Sequence, residues 1–216
     1  MEQGRIGVSP AIDGAPGEER AAPRFTLLIR AAKLIAREGE FVAVIRDVSE
    51  SGISLRGFHR LPAGAPLALE LQTGERHALE MVWERGFEAG FRFTGPVDIV
   101  RLIAEAGRYP KRQLRLNLGF AVELALLGRR ARASVVNISQ QGARIASDEL
   151  LAIAQPLRIV SDTFPEVRAR VRWRKDGEYG VAFDDTFSLA QLAQFACALQ
   201  APELIADAGG ARSLRG

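Results

Sequence analysis

The sequence predicts a mainly β protein made of two tandem, small, six-stranded antiparallel β-barrels, each followed by a short α-helix. Three observations carry this prediction. Each half contains about six short apolar or β-branched segments separated by turn residues, and each half ends with apolar residues at helical spacing. Landmark residues also recur 90 positions apart, at Asp47 and Asn137, Ser49 and Ser139, Gly52 and Gly142, Trp83 and Trp173, Gly90 and Gly180, and Phe93 and Phe183.

The repeat divides the chain into two domains, which its 216 residues can accommodate. We expect the first domain at residues 20–107 and the second at residues 108–203. The segments at 1–19 and 204–216 are rich in Gly and Ala with scattered charge, and we expect both to be mobile tails.

Composition limits the classes of function. The chain has 29 Lys and Arg against 26 Asp and Glu, and this mild net charge of +3 favours a local anion site over a phosphate-tracking surface. One cysteine, Cys197, excludes an intrachain disulfide and fits a reducing compartment. No apolar run is long enough to span a bilayer and no apolar signal core precedes the first domain, so we expect a cytoplasmic protein without a membrane partner.

In the first copy, the predicted strands are 27–36, 41–47, 52–56, 66–71, 77–83 and 87–93. The first two form a hairpin with a four-residue loop at 37–40. Six strands separated by turns favour a closed barrel, because closure leaves no exposed sheet edge.

In the second copy, the predicted strands are 120–126, 131–136, 143–146, 155–161, 167–173 and 179–183. Asp176 and Gly177 between the last two strands are typical of a tight hairpin turn. The second copy therefore repeats the strand plan of the first.

Each copy closes with a predicted helix. The apolar positions of the first are Val97, Val100, Ile103 and Ala104, and those of the second are Leu189, Leu192, Ala196 and Leu199, after Ser188 as N-cap. We expect these apolar faces to pack against the barrels. Alternation on the late strands also favours the core, rather than a base-stacking platform, for Trp83, Phe91, Phe93, Trp173, Tyr179 and Phe183.

A polar motif precedes and interrupts the first barrel. Arg20 and Arg24 come before the first strand, and Asp47, Ser49 and Gly52 follow the second. Guanidinium groups pair with phosphate oxygens and stack on or hydrogen-bond to guanine, a carboxylate accepts from the guanine Watson–Crick edge, and glycine allows close backbone approach. The set suits a ligand with phosphate and guanine. Turn formation also explains the Asp, Ser and Gly pattern, but it does not explain the arginine pair.

These residues resemble the PilZ domain, whose signature is R-x-x-x-R followed by [D/N]-x-S-x-x-G. The resemblance extends from residue 20 to about residue 200, as two copies. It implies a small β-barrel with a terminal helix that binds the bacterial second messenger cyclic di-GMP. It further implies that Arg20 and Arg24 clamp phosphate and guanine while Asp47, Ser49 and Gly52 line the opposite wall.

The second copy of the motif departs from the signature at its first cation. Its members are Lys111, Arg115, Asn137, Ser139 and Gly142, and Arg112 can replace Lys111 if the loop shifts by one residue. Lysine is a point charge without a planar fork, and Asn137 supplies a neutral amide in place of a carboxylate. We therefore expect the second site to bind the ligand more weakly than the first.

Other chemistry is poorly supported by the sequence. His59, His77 and Cys197 do not have the spacing of a metal site, and no nucleophile or nucleotide-loop motif is present. We expect a receptor that is not an enzyme, has no cofactor or metal, and acts through inter-domain rearrangement or an unidentified downstream protein. Two alternatives stay open: a nucleic-acid-binding basic barrel, which the charge disfavours, and an adaptor that binds only protein.

Overall fold

The computed structural model describes residues 25–98, Val100, Leu102 and residues 113–206. The predicted N-terminal tail lies outside the described residues. None of the described helices is both long and apolar enough to cross a bilayer.

The first barrel is a closed ring of six antiparallel strands in the order β1, β2, β3, β6, β5, β4. Its strands are β1 (Phe25–Ile35), β2 (Glu40–Ser49), β3 (Gly52–Arg56), β4 (Leu67–Glu70), β5 (Arg76–Arg85) and β6 (Glu88–Phe93). Antiparallel pairing of β1 with β4 closes the ring. All six predicted strands are confirmed, with ends that differ by a few residues.

The second barrel repeats this ring and adds a short strand. Its strands are β7 (Arg115–Leu116), β8 (Phe120–Leu126), β9 (Arg129–Ser139), β10 (Gly142–Ala146), β11 (Pro156–Ser161), β12 (Phe164–Lys175) and β13 (Glu178–Phe183). The pairing of β9 with β10 and of β8 with β11 closes a six-stranded antiparallel ring. Two tandem six-stranded barrels, as predicted, are therefore the architecture of the chain.

Strand β7 was not predicted, because two residues carry no periodic signal. It pairs with the end of β9, with Leu116 opposite Ile138, just as Phe25 lies opposite Val48 in the first barrel. Phe25 and Leu116 are 91 positions apart, whereas Val48 and Ile138 are 90 positions apart. Beyond the bulge that follows Thr26 the offset returns to 90, so the extra residue of the first copy lies in that bulge.

The predicted turns are present with small shifts. Asp176 and Gly177 have φ values of 51° and 76°, which is the left-handed geometry of a two-residue hairpin. The loop between β1 and β2 covers 36–39 rather than 37–40, because Glu40 already pairs with Ile35.

The helix that closes the second barrel is confirmed as α1 (Leu189–Gln200). Ser188 caps it: its side chain accepts from the Gln191 N–H, and the Gln191 side chain accepts from the Ser188 N–H. A further turn, α2 (Glu203–Ala206), follows. Leu204 and Ile205 pack on the first barrel, so the tail predicted from residue 204 is folded over its first residues.

The helix predicted after the first barrel is described at two positions, Val100 and Leu102, and both are helical. Leu102 is buried in the first core, whereas Val100 is 77% exposed. The prediction of Val100 as a packing residue is therefore wrong, because the helix turns the side that carries Leu102 toward the barrel. Val97 packs against the core as expected, and Ile103 and Ala104 lie outside the described residues.

Helix α1 joins the two barrels. Leu192 and Ala196 belong to the core of the second barrel, whereas Cys197 belongs to the core of the first. Val42 on β2 also packs into the second core, and these residues together form a seam of buried side chains between the barrels. One amphipathic helix therefore serves both barrels, and the seam fixes their arrangement through buried apolar surface.

Candidate ligand grooves of the two barrels

The two motifs occupy the same place on each barrel. Asp47 and Ser49 end β2 and Gly52 begins β3, while Asn137 and Ser139 end β9 and Gly142 begins β10. Two residues form the connection in each case. The duplicated sequence pattern thus corresponds to a duplicated hairpin.

The serine and glycine of each motif shape this hairpin. The Ser49 hydroxyl donates to the Gly52 carbonyl at 3.3 Å, and Ser139 donates to the Gly142 carbonyl at 3.1 Å. A Cβ atom on Gly52 would lie 2.4 Å from a backbone carbonyl of β6, and one on Gly142 would lie 2.2 Å from a carbonyl of β13. Close backbone approach therefore requires glycine here without any ligand, in line with the turn-forming alternative.

The first polar residue differs between the copies. Ser54 donates its hydroxyl to Asp47 Oδ2 at 3.2 Å and accepts from the Asp47 N–H at 3.1 Å. In the second copy Arg144 replaces Ser54, and Asn137 Oδ1 is buried without a hydrogen-bond partner among the described residues. A buried acceptor left unpaired costs about 1–3 kcal/mol, so a donor supplied by a ligand would stabilise it.

The first groove is a cavity of about 360 Å³ on the outside of the first barrel. Asp47, Ser49 and Gly52 lie along one side, and Trp83 and Arg92 lie on the neighbouring strands. The wall is mixed in polarity, as ligand sites with a few fixed polar groups are.

The second groove is larger, about 740 Å³, and both barrels line it. Its second-barrel residues include Arg115, Asn137, Ser139, Gly142, Arg172 and Trp173. The first barrel contributes Lys33 and Glu70 together with the turn at 72–74. Among the described residues, the second motif therefore faces a wall from the other barrel, and the first motif does not.

The two tryptophans lie in the grooves, not in the cores as predicted. Trp83 is 46% exposed and Trp173 is 41% exposed. Each indole covers a glycine on the adjacent strand: a Cβ atom on Gly90 would lie 2.0 Å from Trp83 Nε1, and one on Gly180 would lie 1.9 Å from Trp173 Nε1. Because glycine has no side chain, the indole can lie flat against the backbone on the outside of the barrel. Core packing is confirmed for the other four late-strand aromatics, Phe91, Phe93, Tyr179 and Phe183.

The cations of the two grooves are arranged differently. Arg92 in the first groove is held by Glu80 at 2.6 Å, and Ala182 takes its place in the second. Conversely, Arg172 in the second groove takes the place of Val82 in the first. Arg115 lines the second groove, whereas Arg20, Arg24, Lys111 and Arg112 lie outside the described residues.

Sequence reasoning missed the groove role of the tryptophans and of Lys33 and Glu70. The shared offset of the Trp83–Gly90 and Trp173–Gly180 pairs is a signal that could have revealed the first. Lys33 and Glu70 carry no such signal, because their position in the second groove depends on how the barrels dock.

The histidines and the cysteine lie away from the grooves. Burial lowers the pKa of His59, more than the bond from its Nδ1 to the Arg60 carbonyl raises it. Burial, and to a lesser extent the Glu203 charge, raise the pKa of the Cys197 thiol to about 12. No group of three His, Cys, Asp or Glu side chains in the described ranges could hold a metal ion.

Two barrels of one plan, each carrying its groove at the same hairpin, define a tandem pair of small ligand-binding β-domains. The PilZ domain model matches the sequence twice, at residues 18–105 and 108–200. The chain therefore belongs to the PilZ domain family, as the motif resemblance suggested.

The solved structures to which the chain is similar are distant in sequence. PlzA of Borreliella burgdorferi in complex with c-di-GMP is 14% identical, with 80% of this chain and 88% of PlzA covered and a TM-score of 0.35. The Bacillus subtilis inhibitor of motility, MotI/DgrA, is 15% identical, with 81% and 97% covered and a TM-score of 0.35. YcgR of Escherichia coli with c-di-GMP is 11% identical, with 76% and 80% covered and a TM-score of 0.33. No curated protein matches the sequence.

Proposed function

We propose that the protein is a receptor for cyclic di-GMP and not an enzyme. One observation supports the proposal: the [D/N]-x-S-x-x-G part of each motif copy lies on a groove at an equivalent position, and both grooves have volumes in the range of small-molecule sites. The chain's membership in the PilZ family points to the same ligand.

In the first groove, Arg20 and Arg24 would clamp phosphate and guanine from the segment before β1. Asp47 would accept from the guanine Watson–Crick edge, while Ser49 and Gly52 would form the opposite wall. The exposed indole of Trp83 offers an additional flat surface for a base.

In the second groove, Arg115 with Lys111 or Arg112 would hold the phosphates. Asn137 Oδ1 supports this assignment, because it is a buried acceptor for which a guanine N–H would be a fitting donor. Ser139 and Gly142 would form the wall opposite these cations. Because Lys111 lacks the planar guanidinium fork of arginine, we still expect weaker binding in this groove than in the first.

The test is a calorimetric titration of the full chain with cyclic di-GMP, with GTP and the linear dinucleotide as competitors. The chain's only two tryptophans lie in different grooves, so Trp83→Phe and Trp173→Phe give proteins whose fluorescence reports on one groove each. We expect heat and a fluorescence change with cyclic di-GMP only. Absence of both at saturating ligand would contradict the proposal.

The same grooves suggest how binding is used. Because both barrels line the second groove, a ligand there would alter contacts between them. We propose that the receptor acts by this inter-barrel rearrangement, or by presenting a surface to a downstream protein partner that the sequence does not identify.

A second candidate function, nucleic-acid binding, has one observation in its favour. The outward side of β12 carries exposed arginines, Arg168, Arg170 and Arg172, beside exposed Trp173. A surface that tracks several phosphates loses affinity steeply with salt, whereas a compact ligand with two phosphates does so shallowly. Titrating a single-stranded oligonucleotide and cyclic di-GMP over a salt series distinguishes the two.

A further inference from the structure

Glu40, the first residue of β2, is bonded to the second barrel through both its side chain and its backbone. Its carboxylate accepts from the Asn117 backbone N–H at 2.7 Å and from Asn117 Nδ2 at 2.8 Å. Its backbone N–H donates to Gln200 Oε1 at 2.8 Å, and its carbonyl accepts from Gln200 Nε2 at 2.9 Å. A single residue of the first barrel thus contacts both the entry segment and the terminal helix of the second.

Lys33 holds the Glu40 carboxylate in place. Lys33 is 6% exposed, and its Nζ lies 2.9 Å from Glu40 Oε2 and 2.9 Å from Glu70 Oε1. Ion pairs buried to this degree keep a fixed geometry, because breaking one leaves an uncompensated charge. The Glu40 oxygens are therefore pre-positioned for Asn117.

Asn117 transmits this constraint to the second groove. It lies two residues after Arg115, whose strand pairs with Ser139 of the motif. Arg115 lines the second groove, whereas Glu40 is not among its lining residues. Lys33 and Asn117 line the groove as well, so Glu40 acts on it through these two bonded partners and the short segment 115–117.

The first groove has no equivalent of this contact in the described residues. At the 90-residue offset, Glu123 and Arg130 replace Lys33 and Glu40, so the ion pair is kept with reversed polarity. The Arg130 side chain is 68% exposed, in contrast to the 12% of Glu40. The anchor is specific to the junction between the barrels.

We infer that Glu40, held by Lys33, is a positioning residue for ligand binding in the second groove. It fixes Asn117 and thereby the backbone that presents Arg115, so the affinity of this groove depends on the docked arrangement of the barrels. Linkage makes the effect reciprocal: a ligand held by Arg115 strengthens the Glu40–Asn117 contact. The inference rests on the proposed function.

The test is Glu40→Gln in the Trp83→Phe background, with cyclic di-GMP titrated against Trp173 fluorescence. Glutamine keeps the volume, one acceptor oxygen and the backbone bonds, but it loses the charge. We expect about three- to tenfold weaker binding at the second groove, since charge-assisted bonds are the stronger ones. In the Trp173→Phe background, Glu40→Gln should leave the first groove unchanged.

The matched control is Glu166→Gln, which removes an exposed carboxylate paired with Arg158 at 2.7 Å outside both grooves. It should leave both titrations unchanged. Ligand should also slow hydrogen exchange at the Glu40 and Asn117 amides in the wild-type chain, and less so in Glu40→Gln.

The outcomes separate the two proposals. If neither tryptophan responds in the parent proteins, the receptor function fails and the inference with it. If Trp173 responds in the parent and Glu40→Gln titrates identically, the inference is overturned while the receptor function stands. Equal weakening of both grooves would also overturn it, because that pattern indicates a general loss of stability.

Discussion

Gly180 leaves the space that the indole of Trp173 fills. A Cβ atom on Gly180 would lie 1.9 Å from Trp173 Nε1, and the two residues are cross-strand partners on β13 and β12. Gly90 and Trp83 repeat this relationship in the first barrel at 2.0 Å. The pairing is thus a duplicated structural device that sets the shape of each groove.

Gly180→Ala should displace the Trp173 indole, because the new methyl group cannot coexist with the ring. Overpacking of this kind costs typically about 1–3 kcal/mol. In the Trp83→Phe background we expect a shifted emission maximum and weaker ligand binding at the second groove.

Gly90→Ala is the matched variant, measured in the Trp173→Phe background, and it should affect the first groove instead. If Gly180→Ala leaves the Trp173 emission and titration unchanged, the position of the indole does not depend on the space that Gly180 leaves.

Arg24→Ala should weaken binding at the first groove. Loss of a charge-assisted hydrogen bond costs on the order of 1.5–3 kcal/mol, or at least tenfold in affinity. Titration followed by Trp83 fluorescence measures it. Arg56→Ala removes an exposed arginine outside both grooves and should have no effect. An equal response to the two variants would indicate a general electrostatic effect.

Lys111→Arg should strengthen binding at the second groove by about tenfold, because it restores the planar fork that pairs bidentately with phosphate. Trp173 fluorescence in the Trp83→Phe background reports the change. Lys175→Arg, an exposed lysine at the end of β12, is the control. Should Lys111→Arg bind no tighter than its parent, Arg112 is the better candidate for this cation.

The six main strands of each barrel could be predicted because their signals are local and occur in both copies. Strand β7 was not predicted, since a strand of two residues has no hydrophobic period. Val100 was wrongly assigned to the packed face, because several apolar residues within one helical turn do not reveal which of them faces the barrel. The site was predictable only as far as the motif. Lys33 enters the second groove through tertiary docking, which no local pattern encodes.

Cys197 should resist thiol reagents in the native protein. It is fully buried, and burial with the nearby Glu203 raises its pKa to about 12, so the reactive thiolate is scarce at neutral pH. Labelling with a maleimide should proceed slowly without denaturant and rapidly in urea. Because the thiol lies in the seam between α1 and the first barrel, native labelling as fast as labelling in urea would mean that this seam opens readily.

His59 should make the protein less stable as the pH falls below about 6.5. Burial lowers its pKa in the folded state, and its Nε2 is buried with no partner in the part of the chain that the structure describes, so a proton there would find no acceptor among those residues. Above the unfolded value of 6.5 both states are neutral and nothing is lost. Below pH 6.5 the unfolded chain takes up a proton that the folded chain resists, so the free energy of unfolding decreases.

Urea denaturation at pH 7.5 and 5.5 measures this loss of stability. Both pH values are still above the ordinary pKa range of the carboxylates. His59→Asn places its side-chain amide nitrogen near the position of Nδ1, so it can still donate to the Arg60 carbonyl, and it does not titrate. Its stability should therefore change less between these two pH values. An equal decrease in the variant and the wild type would assign the acid sensitivity to another group.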